Sequence, residues 1–316
     1  MIRLFKSNQP LAVLLFPVLA MVMSGVFLMY QEIPQELDLG VWGNYPSPDI
    51  IWLTVISAVI VSFNAYLINN TFNSNDFLER NTYVVGFIYI VGCFTISIVD
   101  NPGVLLFHFF DILSIRQLFF VRQNDDAKRA IFNGALLLGI GLSFFPHAFP
   151  LLLFPFFTLI VIRPFVWREY ALIFLAYVGV LAYIITYEHY YPSGNFIHHF
   201  WEQNSGFSWS LISLIQFSAW VLLLLVSFFV INKKIIRSGL RFKRLITLSW
   251  ISVLLLIFSE FIHFLNIKEY VMISQVGTTF LVATGISLAR VPAVYNILLY
   301  FLLLFAIYIQ VGLKFF

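Results

Sequence analysis

Residues 132–169 read "FNGALLLGIGLSFFPHAFPLLLFPFFTLIVIRPFVWRE". Two apolar runs flank a turn that carries Pro146 and Pro150, and the second run stops at Arg163 and Pro164. Each run approaches the roughly 20 residues that a helix needs to cross a hydrocarbon core. Proline removes a backbone donor and breaks the helical ladder. The pattern therefore predicts two membrane helices, over 129–145 and 147–163, folded back on each other in a tight hairpin. A membrane β-barrel would show alternating segments of about ten residues instead.

The whole chain has the same character. Of 316 residues, 61% are hydrophobic and 10% are charged, and mean hydropathy is +0.92. A soluble domain carries about 25% charged residues, so this chain cannot cover itself with polar surface. Further apolar runs lie near 11–30, 50–68, 83–99, 102–121, 169–187, 208–231, 246–264, 270–289 and 292–313. Together they predict an all-α, polytopic integral membrane protein of about eleven transmembrane helices, with residues 1–316 as a single transmembrane domain. The N-terminal run is too long for a secretory signal and no A-x-A-like cleavage site follows it, so it reads as a retained helix. The single cysteine, Cys93, leaves no intramolecular disulfide and no Cys-based metal site.

Charge placement orients the spans. With the N-terminus in the cytoplasm, only Lys268 and Lys314 of the 18 lysines and arginines fall outside. That asymmetry fits the positive-inside rule and puts the C-terminus in the periplasm. It predicts a multi-pass membrane protein. The basic loop "NKKIIRSGLRFKR" at 232–244 is explained by this topology and by contact with anionic lipid. Nucleic acid is not an expected partner.

Polar residues inside the apolar runs are the candidate site. "HFFDILSIRQLFF" at 108–120 holds His108, Asp111 and Arg116. Arg116 is near the inner end and can snorkel. Asp111 is near the midplane, about 14 Å from the outer end at 1.5 Å per residue, and too short to reach water. His108, three residues back, shares its face, so the pair should face the bundle interior. Glu260 and His263 repeat the i, i+3 spacing. His198 and His199 lie in the loop "YEHYYPSGNFIHHFWEQNSG". With the acids of the first outer loop they suggest a polar, outward-open cavity, and His108, Asp111, His198, His199, Glu260 and His263 are its candidate substrate-binding residues. A metal site is not expected: a di-iron bundle needs two E-x-x-H elements and further glutamates, and only one E-x-x-H is present. No G-x-S-x-G elbow supports serine chemistry. No cofactor is identified.

The acidic loop "QEIPQELDLGVWGNYPSPD" at 31–49 contains Glu36 and Asp38 just past the first helix. GT-C membrane glycosyltransferases, which the 132–169 segment resembles, carry acidic residues at about this place, and a carboxylate there could act as general base or hold a divalent metal; the resemblance makes these two the candidate catalytic residues.

"FKSNQP" at 5–10, "ERNTY" at 79–83 and the 132–169 segment together resemble an uncharacterised family of polytopic inner-membrane proteins of Bacteroidota. That family implies a bacterial inner membrane but no established activity, and so no catalytic residues. The central segment is also similar, in hydropathy and arrangement, to GT-C membrane glycosyltransferases. Two function classes follow. One is a component or partner of a larger envelope assembly, contacting lipid and other membrane proteins. The other is a GT-C-like transferase using a polyprenyl-phosphate sugar at the periplasmic face. A transporter with Asp111 as an ion or proton site is a distant third.

Overall fold

The computed structural model describes residues 5–6, 11–30, 36–95, 101–121, 127–190, 211–263, 267–289, 295–297, 299–301 and 304. Within these, the side chains of 11, 27–30, 211–214, 216 and 257–272 lie outside the description. Among the described residues the protein is all-α apart from one small hairpin. In chain order the elements are α1 (Leu11–Tyr30), β1 (Glu36–Asp38), β2 (Asn44–Pro46), α2 (Ile50–Ser74), α3 (Val84–Thr95), α4 (Pro102–Phe119), α5 (Ala127–Phe144), α6 (Phe154–Ile162), α7 (Trp167–Tyr190), α8 (Leu211–Ile235), α9 (Leu240–His263) and α10 (Ile267–Leu288).

Helix α3 is the axis of the bundle. All its residues are buried, as expected for a helix apolar on every side. Residues 273–286 of α10 are likewise buried beside it. Around these two pack α1, α2, α4 and α8, with α5 and α7 outside α4. The buried apolar side chains form one cluster that runs from Phe5 to Leu299.

Helix α7 shows what solvent the bundle is built for. Its mean hydropathy is 2.0, yet only 17% of its apolar window is buried. Phe174, Leu175, Val178, Leu181 and Ile185 all point outward. A contiguous apolar face of this size is not stable in water. Four helices, 50–74, 102–119, 167–190 and 217–235, are long and apolar enough to cross a membrane, and they mark a membrane protein. Other apolar helices are shorter: α3, with 12 residues, extends only about 18 Å at 1.5 Å per residue, less than the roughly 30 Å core.

The hairpin at 129–163 differs from its expected form. After α5, residues Pro146–Leu153 form a 3-10 turn, and the α-helix starts only at Phe154. An α-helix begun at Pro146 would need the Pro150 amide as donor to the Pro146 carbonyl, and proline has none. Between α4 and α5 small residues permit close approach. Ser114 Oγ donates to the Gly134 carbonyl at 2.7 Å, and a Cβ at Gly134 would lie 2.8 Å from Leu118 Cγ. This is the packing of small residues typical between membrane helices.

Contacts define two ends of the bundle. At one, Thr82 and Tyr83 bond to the Phe5 carbonyl, Arg241 pairs with Asp76 at 2.8 Å, and Phe72, Phe77 and Phe280 stack, with Phe119 tilted against the last two. At the other, the β-hairpin meets the start of α4 and the ends of α5 and α7.

Candidate functional site

The first candidate region is the hairpin at the second end. Its register pairs Glu36 with Pro46, Leu37 with Tyr45 and Asp38 with Asn44. Strand alternation turns Leu37 inward and leaves Glu36 and Asp38 exposed on one face. Asp38 Oδ1 accepts from the Gly40 amide at 2.7 Å, so one oxygen of this carboxylate forms the turn. Gly40 has φ +66°, and a Cβ there would lie 2.6 Å from the Phe144 carbonyl oxygen. Only glycine suits both the left-handed backbone and the close approach. Trp42 clamps the turn: its indole nitrogen donates to Ser143 Oγ at 2.9 Å, and its ring packs on Phe144, Tyr183 and Tyr187. The acidic loop is thus a cap on three helix ends, with its two carboxylates exposed.

The second region lies beneath it. Asn101 caps α4 by accepting from the Val104 amide at 3.1 Å, and Pro102 takes the first helical position, where its missing donor costs nothing. The Asp38 carbonyl lies against Gly103. His108 is therefore about 7 Å further along the axis at 1.5 Å per residue.

His108 is 0% exposed and Asp111 4%. Tyr89 OH and His108 Nδ1 are 2.9 Å apart. Asn64 Nδ2 donates to Tyr89 OH at 3.2 Å and to the Leu105 carbonyl at 3.0 Å. The Tyr89 oxygen accepts from Asn64, and the hydroxyl donates to His108 Nδ1 or accepts from it according to the imidazole tautomer. Asp111 is within direct electrostatic reach of Tyr89. Three helices thus meet in one polar group, with Asn64 from α2, Tyr89 from α3 and His108 from α4, and Asp111 is buried one turn further along α4. Further along α3, Gln275 of α10 packs directly on Gly92, and Trp220 Nε1 of α8 donates to Thr95 Oγ1 at 3.3 Å.

The candidate residues therefore divide. His108 and Asp111 share the enclosed group, and Glu36 and Asp38 face solvent on the cap above it. Over His108, Gly40 and Gly103 let the hairpin backbone sit directly on the helix ends. Glu260 and His263 lie on α9, with their side chains outside the described residues, as are His198 and His199 altogether. Among the described residues no group of three His, Cys, Asp or Glu side chains could hold a metal.

Asn64, Tyr89 and Gln275 escaped the sequence reading. The amides had a legible signal: each interrupts an apolar run, where an unsatisfied polar group is costly. Tyr89 had none, since tyrosine is common in such runs. No family model, no curated protein and no solved structure matches the chain.

Proposed function

We propose that this is a multi-pass protein of a bacterial cytoplasmic membrane, of the Bacteroidota type its central segment resembles, acting as a component or partner of a larger envelope assembly. In this reading about eleven spans run from a cytoplasmic N-terminus to a periplasmic C-terminus. The positive-inside rule supports that orientation: Arg80, Arg163, Arg168, Arg237 and Arg241 gather at the end of Phe5 and Asp76, and Glu36, Asp38 and Asp49 at the other.

The observation that carries the component reading is the nature of the grooves. One of about 360 Å³ lies between α1 and α2, lined by Phe16, Pro17, Met21, Ala58 and Phe63. Another of about 380 Å³ lies among α8, α9 and α10, lined by Trp220, Leu224, Phe228, Trp250 and Thr278. Both are overwhelmingly apolar, and no hairpin residue lines either. A transferase taking a polyprenyl-phosphate donor at Glu36 and Asp38 needs a lipid groove that ends at those carboxylates. Apolar grooves between helices suit packing against another membrane helix.

The discriminating experiment replaces Glu36 and Asp38 together by Gln and Asn and assays envelope glycans at normal protein levels. The component reading expects glycosylation to be unchanged. Because a general base contributes about 10²–10⁴-fold in rate, near-complete loss of glycosylation would establish the transferase in its place.

A further inference from the structure

One face of α2 goes beyond that reading and does not depend on it. Ser57, Asn64, Thr71 and Asn75 follow one another at steps of seven, seven and four residues. With 3.6 residues per turn they fall within about 40° of each other around the helix. All four are at most 1% exposed, and Val61 and Ile68 on the same line are buried too. At 1.5 Å per residue the line is about 27 Å long, close to the roughly 30 Å of a hydrocarbon core.

Asn64 shows what the line faces. Its Nδ2 donates to the Tyr89 hydroxyl of α3 and to the Leu105 carbonyl of α4, so the line looks into the seam between those helices. The seam continues toward the Asp76 end, where Asn73 Nδ2 donates to the Thr82 carbonyl just before α3 and Phe77 lies against Phe119 of α4.

Among the described residues, Asn64 Oδ1, Thr71 Oγ1 and Asn75 Oδ1 are buried without a hydrogen-bond partner. Turning the Asn64 amide over would not help, because its nitrogen is needed at the Leu105 carbonyl. Thr71 is the telling case. Thr158 and Thr284, equally buried, donate to the carbonyl four residues back at 2.9 and 2.7 Å. That bond is open to any helical threonine, yet the Thr71 hydroxyl does not make it. Three unpaired polar atoms on one line inside a membrane bundle are costly, and a small hydrogen-bond donor relieves all of them.

We propose that a file of bound water molecules lies in this seam, from Asn75 to Asn64. Thr71 and Asn75 are on adjacent turns with Cβ atoms about 5–6 Å apart, so one water molecule gives a hydrogen to each oxygen. Another gives a hydrogen to Asn64 Oδ1. Buried water typically makes about three hydrogen bonds to groups of this kind. The file ends on the Asn64–Tyr89–His108 chain. It passes the depth of Asp111, which is six residues beyond Leu105 on α4 and so level with residue 70 of α2.

The test is solid-state NMR of the full chain in lipid bilayers, reading how fast magnetisation passes from water to individual buried side chains. Residues 64–65 are the only asparagine–alanine step in the chain, so paired labelling assigns Asn64 without a variant. Thr71→Val assigns Thr71. The controls are buried but partnered: Asn69, whose Oδ1 accepts from the Gly86 amide at 3.4 Å, and Thr284. Transfer should be about five-fold faster at Asn64 than at Asn69, and at Thr71 than at Thr284. Equal rates at Asn64 and Asn69 overturn the site, and this arm stands even if Thr71→Val does not fold. Fast transfer at Asn64 with Thr71 as slow as Thr284 overturns the file.

Discussion

Trp42 and Ser143, 101 positions apart, are joined by a 2.9 Å hydrogen bond from the indole to the hydroxyl. That bond fixes the first extramembrane loop to the end of α5. It makes the loop a part of the fold and not an appendage.

Removing the bond while keeping the ring isolates its contribution. Trp42→Phe should cost about 1 kcal/mol and speed amide hydrogen exchange across 36–46 about five-fold. Exchange elsewhere in the bundle should be unchanged. Gly40→Ala should loosen the same segment further, because it adds a Cβ against the Phe144 carbonyl at a positive φ. An unaltered exchange rate at 36–46 in both variants would mean that the clamp does not hold the hairpin.

Tyr89→Phe deletes the hydroxyl between Asn64 and His108. A buried partner left unsatisfied costs about 1–3 kcal/mol. Thermal unfolding in detergent should therefore fall by several degrees, without loss of helical content. Equal melting of variant and wild type would show that the group contributes no net stability.

Gly92→Ala should also destabilise, because Gln275 occupies the space of the new Cβ. The informative comparison is the double variant Gly92→Ala with Gln275→Ala. It should recover part of the loss, since contacting residues couple by about 0.5–3 kcal/mol. Simple additivity would contradict the packing of α3 against α10.

The two ends of the bundle should lie on opposite sides of the membrane. Cys93 is buried and should not react, so single cysteines introduced at Ser238 and Asn44 can be labelled with an impermeant maleimide. In intact spheroplasts the residue-44 cysteine should react and the residue-238 cysteine should require permeabilisation. The reverse pattern would invert the topology.

The long helices were legible because an apolar run of spanning length has one physical solution: residues 50–68 and 169–187 are apolar almost throughout, and both lie in helices that extend a few residues further. His108 and Asp111 were legible as inward-facing because charge cannot face lipid, and both are buried. Their neighbours were not, since the Asn64–Tyr89–His108 chain joins three helices by contacts that no local pattern encodes. The hairpin lay between these cases. Gly40 and Gly43 both take positive φ and flank Val41 and Trp42, which is a turn signal, but the acids beside them suggested chemistry first. The 3-10 start after Phe145 follows from prolines that were read only as a break.

The central claim is that this chain works within a larger envelope assembly. Its most direct measurement is the native mass of the protein extracted from its own membrane in polymer nanodiscs, without detergent. The account predicts a species containing a second polypeptide in a fixed ratio to this chain across independent preparations, and that ratio should survive dilution. A mass accounted for by this chain and lipid alone would contradict it.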